Sequence, residues 1–298
     1  MQVRFLPVAH FMKNYELIDS GDSEKLERFG DFVLRRPDPQ ALYPKHLGTS
    51  EWDKADALFE THTGKGKWRT TEEAETRGIL QNWVTAFDDL SFSTTLGTFK
   101  HVGVFPEQVT NWKWLKETTV EALKTRPKVS VLNLFAYTGG STLACASAGA
   151  EVVHVDASQG IVDVAFKNAE ISGLKEKPIR WIVDDVKKFV AREIKRGNYY
   201  QGIIMDPPSY GHGPKKEIWN IEEHLLPLIE DVKKLLAPDA VFFLINGYTS
   251  GYSPIAYGNT LLSLEKKGGK VETGELVIQE KDGGRSLPAG LFARWRAL

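Results

Sequence analysis

The stretch VLNLFAYTGGST, residues 131–142, decides how this chain reads. It opens on an apolar run without strict alternation, the mark of a strand buried on both faces of a sheet. Ala136-Tyr137-Thr138-Gly139-Gly140 then breaks the run, and small residues from Ser141 onward open a helix. Strand, glycine turn and helix in that order set the unpaired N–H groups of a helix N-terminus beside a turn whose glycines carry no Cβ. A ligand can approach the backbone there. Packing alone also produces such turns, so the ligand reading needs support from other loops.

Working outward, short apolar runs alternate with longer amphipathic ones. Residues 129–135, 152–156, 179–183, 202–206 and 240–246 read as buried strands, and 141–148, 159–172, 186–195 and 217–236 as the helices between them. A further helix near 254–267 precedes segments 271–280 and 291–296, which flank a Gly- and Pro-containing loop and predict a closing hairpin. The expected fold class is therefore α/β, with a Rossmann-like, seven-stranded, mostly parallel sheet and a closing antiparallel hairpin. Upstream, short segments at 3–6, 15–19, 31–35 and 83–87 lie between turn formers such as Ser20-Gly21-Asp22, which predicts a smaller β-rich domain. A helix at 111–125 joins the two parts. The expected division is 1–105 for the β-rich domain, a candidate for substrate recognition, and 106–298 for the ligand-binding one.

Other loops supply the support. Asp156 ends the second strand, where a carboxylate can accept both hydroxyls of a ribose, with helix capping as the alternative. Asp184-Asp185 follows the third strand; Asp185 can accept from an adenine amino group or cap the helix that starts at Val186. The fourth strand ends in Met205-Asp206-Pro207-Pro208-Ser209-Tyr210-Gly211, which offers a carboxylate, two rigid prolines and an aromatic ring able to stack on a planar group. Three such loops together are far harder to obtain by chance than one. A nicotinamide dinucleotide is disfavoured because the turn lacks Gly-x-Gly-x-x-Gly.

Composition agrees. The chain has 298 residues, 42% hydrophobic and 26% charged, enough for a full α/β core and a smaller domain beside it. No apolar run approaches the roughly 20 residues that span a bilayer, and residues 1–16 lack the pattern of a signal peptide. Cys145 is the single cysteine, and no histidine pair has metal-ligand spacing. A cytoplasmic protein is expected, with no membrane contact and no metal. A net charge of −1 gives no global positive field for phosphate backbones.

The blocks VLNLFAYTGG, VVHVDASQGIVDVAFKNAEISGL, VDDVKKFV and IIMDPPSYG, within residues 95–250, resemble class I S-adenosylmethionine-dependent methyltransferases. Among these they are most similar to the family that contains the bacterial 23S rRNA large-subunit methyltransferases I and K. The resemblance implies S-adenosyl-L-methionine as cofactor, S-adenosyl-L-homocysteine as product and methyl transfer to RNA as the reaction. It implies that Phe135, Ala136, Tyr137, Thr138 and Gly139 line the methionine side, that Asp156 and Ala157 hold the ribose, and that Asp185 and Val186 hold the adenine. Asp206 and Pro207 would border the transferred methyl. KHVGVFPEQ, residues 100–108, is similar to the family segment that folds over the methionine end, which adds Phe105 and Gln108. Asp206, Pro207, Pro208 and Tyr210 are the candidate catalytic residues.

Departures bear on the acceptor. The RNA-binding PUA domain usual at the N-terminus of the rRNA members is not recognisable in residues 1–100. No cysteine occurs in Leu244-Ile245-Asn246-Gly247-Tyr248-Thr249-Ser250, where members that methylate cytosine carbon carry a nucleophile, so a base nitrogen is the favoured acceptor. Ser209 separates the prolines from Tyr210, unlike the motif of enzymes that methylate planar nitrogens. Lys65, Lys67, Trp68 and Arg69 combine charge with an aromatic, as a grip on single-stranded RNA requires, and His212, Lys215 and Lys216 follow Tyr210. An RNA partner and a homodimer are the expectations. A protein side chain or small molecule as acceptor, or cofactor binding without catalysis, stays open.

Overall fold

The computed structural model describes residues 4–6, 14–62, 65–249, 251–281 and 284–297. Val3 and Ser250, which belong to segments named above, lie outside them. The chain separates into two compact units, one of residues 1–6, 110–276 and 290–298, the other of residues 7–109 and 277–289.

In chain order the first strands are β1 (Arg4–Leu6), β2 (Tyr15–Gly21), β3 (Glu24–Phe29), β4 (Phe32–Pro37), β5 (Ala57–His62), β6 (Lys65–Thr70), β7 (Trp83–Phe87) and β8 (Leu90–Thr94). Then come β9 (Ser130–Leu134), β10 (Glu151–Asp156), β11 (Ile179–Val183), β12 (Gly202–Met205), β13 (Tyr210–His212), β14 (Ile218–Asn220), β15 (Phe242–Gly247), β16 (Lys270–Gln279) and β17 (Ser286–Arg296). The helices are α1 (Thr49–Trp52), α2 (Glu72–Thr76), α3 (Val109–Leu123), α4 (Gly140–Ser147), α5 (Gln159–Ile171), α6 (Val186–Arg196), α7 (Ile221–Lys233) and α8 (Pro254–Leu261).

The larger unit is built on a sheet with strand order β1-β16-β17-β15-β12-β9-β10-β11. β9 to β12 and β15 run parallel to their neighbours in this set, while β17 lies antiparallel to β15. β12 and β15 are buried along their whole length, which is why their apolar runs lack alternation. One face carries Leu132, Leu134, Met205 and Ile245 into a core with Phe189, Leu228 and Ile229 of α6 and α7. The other carries Val131, Ile204 and Leu244 toward Leu115 of α3 and Cys145 of α4. Each such large side chain, once buried, contributes about 1.5–3 kcal/mol.

The seven expected strands are present, and β1 adds an eighth. Arg4, Phe5 and Leu6 pair in parallel with Gly274, Glu275 and Leu276, so residues 4–6 join the large sheet rather than the N-terminal strands. A three-residue strand carries no signal of which distant edge it meets. Among the described residues no helix is long and apolar enough to cross a membrane.

The smaller unit holds a five-stranded sheet, β2-β3-β4-β5-β6, and the hairpin β7–β8. Residues 277–289 belong to it through Arg285, which donates to Asp19 Oδ1 at 2.8 Å and to Glu280 Oε2 at 2.8 Å. Buried Glu27 on β3 accepts from the Tyr15 hydroxyl at 2.6 Å and from Arg36 Nε at 2.9 Å.

Candidate functional site

Parallel register aligns the strand ends of the larger unit. Leu134 pairs with Val155 and with Met205, Asp156 with Val183, and Met205 with Ile245. Asn246, Asp206, the turn from Phe135, Asp156 and Asp184-Asp185 consequently follow one another along a single carboxyl edge. The chain leaves β9 to one side for β10 and β11 and returns on the other side for β12 and β15. That reversal beside β9 is where open α/β sheets leave a crevice for ligands.

The turn itself is strained. Phe135 has φ of 55° and Tyr137 φ of 48°, left-handed values that a bulky side chain rarely takes and that cost on the order of 1–3 kcal/mol each. The surroundings hold them there. Ala136 N donates to Val155 O at 3.1 Å, Tyr137 N to Asp156 Oδ2 at 2.9 Å, and Asn168 Nδ2 on α5 to Thr138 O at 2.9 Å. Below the turn, Asn133 Nδ2 donates to Thr142 Oγ1 at 2.9 Å, and that hydroxyl lies 2.9 Å from His154 Nδ1. Burial pushes the His154 imidazole down to about 3, so the brace is neutral.

Protein packs closely against both glycines of the turn. A Cβ on Gly140 would stand 2.3 Å from the Trp112 ring, and one on Gly139 3.2 Å from Ala165 Cβ. The Cβ position of each is therefore closed by protein. Gly139 serves a second need, since its φ of 92° caps α4 in the left-handed region.

Asp156 is half-buried and accepts from Tyr137 N and, at 3.1 Å, from Ser158 N. Burial raises its carboxyl above the usual range against the lowering effect of those N–H groups. The N-cap of α5 is Ser158, so Asp156 braces the turn instead of capping that helix. Asp185 does cap α6, accepting from Lys188 N at 3.0 Å; its other oxygen faces Gly213, where a Cβ would stand 3.0 Å away. Asp184 pairs with Arg192. Ala157 is half-buried and Val186 buried at the start of α6.

Beyond β12, Asp206 is half-buried, Pro207 buried, and Pro208 and Tyr210 exposed. Sequence reasoning missed the peg that fixes this corner. Trp219 on β14 donates through Nε1 to Pro208 O at 2.6 Å and packs its ring 4.8 Å from that of Phe135. Ser209 Oγ lies 2.7 Å from Thr249 Oγ1, which ties the double-proline loop to the segment after β15. Segment 217–236 was expected as one helix; β14 occupies its start, and α7 begins at Ile221 under the Asn220 cap, whose side chain accepts from Glu222 N. His212, Lys215 and Lys216 lie exposed in and after β13.

Phe105 and Gln108 belong to the smaller unit, at a short 3-10 turn, Pro106–Gln108. In that unit the alternation of β6 separates the charge from the aromatic. Lys67 and Arg69 are exposed, Arg69 with Glu60 at 3.2 Å, while Trp68 packs edge-on to Phe59 and donates to Phe99 O at 3.2 Å. Among the described residues Asp19, His46 and Glu280 form the one cluster spaced for a metal, and Arg285 already bonds both carboxylates. Cys145 is buried and its thiol is pushed up to about 12, which leaves it unreactive.

Comparison with known proteins adds the family. The family described as S-adenosylmethionine-dependent methyltransferase matches residues 61–246. The solved structure of a SAM dependent methyltransferase from Agrobacterium tumefaciens is similar over 96% of this chain and 91% of that one, with 39% identity and a TM-score of 0.89. Ribosomal RNA large subunit methyltransferase K of Neisseria meningitidis serogroup B is 33% identical over 121 residues, 40% of this chain and 34% of that protein. Ribosomal RNA large subunit methyltransferase I of Aeromonas hydrophila is 40% identical over 81 residues, 27% of this chain and 20% of that protein. The matched region thus spans about a third of the length of the first of these curated relatives and a fifth of the second.

Proposed function

The chain belongs to the S-adenosylmethionine-dependent methyltransferases, and from that membership we propose that it methylates RNA, with a ring or exocyclic nitrogen of a ribosomal RNA base as acceptor. The observation that carries the reading is the strained Phe135–Tyr137 turn, bonded to Asp156 and pegged through Trp219 to the Asp206 corner. Strain held in place by so many contacts marks a site whose shape matters.

The residues fit the cofactor. Asp156 keeps acceptor capacity beyond its backbone N–H bonds, and its penalised charge favours donors such as two ribose hydroxyls. Asp185, Val186 and Ala157 would hold the adenosine, and Phe135 to Gly139 the methionine end. When bound, S-adenosylmethionine supplies a methyl already activated on a sulfonium. The protein then has to orient and to exclude water, and positioning of this kind supplies on the order of 7–11 kcal/mol. Asp206 is the group to accept an acceptor N–H and receive its proton, Pro207 and Pro208 fix the loop, and Tyr210 offers a ring to stack on a planar base.

Labelled S-adenosylmethionine and undermethylated ribosomal RNA test the proposal. RNA should be labelled, and Asp206→Ala should cut transfer by on the order of a hundredfold while cofactor binding persists. Label only in protein or metabolites would favour a second reading, an acceptor other than RNA, to which the net charge of −1 points. A cytoplasmic location, a homodimer and substrate recognition by the β-rich unit belong to the same proposal.

A further inference from the structure

Tyr257, on α8 of the larger unit, is 2% exposed, and among the described residues its hydroxyl is a buried polar atom with no hydrogen-bond partner. Such a group is destabilising, and selection for stability alone would remove it by replacing Tyr with Phe. Its place is defined. A Cβ on Gly247 would stand 2.7 Å from Tyr257 Cζ and 2.8 Å from its hydroxyl oxygen, so Gly247, the last residue of β15, is what admits the phenol. Met205 pairs with Ile245, which puts Asp206 beside the end of β15. The Asp206 carboxylate acts on the phenol strongly enough to help raise it, after burial and Tyr252, to about 12. The hydroxyl therefore stays protonated at any working pH and can donate.

We propose that the Tyr257 hydroxyl donates a hydrogen bond to the methyl acceptor, so that with the Asp206 carboxylate it reads a neighbouring acceptor and donor on the edge of a planar nitrogen base. This rests on the proposed function, whose acceptor is such a base. Asp206 accepts the N–H; Tyr257 keeps its proton and donates an O–H hydrogen bond to the adjacent ring nitrogen or carbonyl oxygen. In the segments after β15, the Tyr252 ring lies 6.0 Å from that of Tyr257 and Tyr248 is seated against Gly290. Tyr257 is thereby a specificity residue, since a base lacking the acceptor atom would leave the hydroxyl buried and unmatched.

The test compares wild type and Tyr257→Phe, both saturated with S-adenosylhomocysteine, in titrations with adenosine, guanosine, cytidine and uridine 5′-monophosphates followed by NMR of Cζ-labelled tyrosine. Tyr257 is assigned as the resonance missing from the variant. At least one nucleotide should shift that resonance in wild type, and its affinity should fall about tenfold in the variant, the worth of one hydrogen bond in a dry site. Affinity for S-adenosylhomocysteine should be unchanged and the melting temperature equal or higher. The inference is overturned if no nucleotide moves the resonance, if the variant binds all of them as wild type does, or if the variant loses affinity for S-adenosylhomocysteine. Labelled transfer to RNA is read separately, so loss of the RNA assignment and loss of the Tyr257 role are distinguishable.

Discussion

Asp156 shows how much one side chain can be asked to do. It holds Tyr137 in a left-handed conformation and carries a carboxyl whose ionisation burial opposes. Asp156→Asn keeps an oxygen for Tyr137 N but loses the one that accepts from Ser158 N and removes the charge, so ligand-free stability should fall by about 1 kcal/mol by thermal melt at neutral pH, while affinity for S-adenosylhomocysteine should drop by about 10–100-fold, the worth of charge-assisted bonds. Glu107 in the smaller unit makes the pH dependence explicit. Burial raises its carboxyl to about 7 in the folded chain. Because the folded value lies above the unfolded one, its contribution is fully present below the ordinary value of about 4.5 and is lost as pH climbs through about 7. Glu107→Gln should therefore raise the melting temperature above pH 7, by about 3 kcal/mol of stability, and should change nothing near pH 4. At this scale the sequence was legible as far as the placing of Asp156 and Asp206 at strand ends. It was silent on Trp219 and Tyr257, whose roles come from packing across distant segments.

Elements show a second kind of information. Helix α4 starts where it does because Gly139 turns left-handed and Gly140 clears the Trp112 ring of α3. Gly140→Ala should cost about 1–3 kcal/mol through overpacking, and the cost should shrink in a Trp112→Leu background, a coupling that a double-mutant cycle in denaturant measures. The glycines were visible in the sequence, but their reason was not, because Trp112 lies nearly thirty residues away. Segment 217–236 teaches a similar lesson. Ile218 and Trp219 fit a helical spacing with the residues after them, yet Asn220 caps α7 and leaves them in a hairpin that pegs the double-proline loop. Asn220→Ala should lower stability by about 1 kcal/mol and Asn220→Asp should restore it, by urea titration.

For the whole molecule, periodicity sufficed to read the parallel sheet, since strands buried on both faces are written as unbroken apolar runs. What escaped was long-range. The β1 strand joins the edge of the large sheet beside residues 274–276, and residues 277–289 belong with the smaller unit although they lie near the other end of the chain. Strands β3 and β6 hid because charged residues occupy much of them, as EKLERF and KGKWRT show. The account rests on the carboxyl edge of the larger unit holding an adenosyl group. Isothermal titration of the folded, ligand-free protein with S-adenosylhomocysteine tests this most directly. A saturable single-site binding curve that Asp156→Asn weakens is the expected result; absence of any heat of binding to folded wild-type protein at saturating ligand would contradict it.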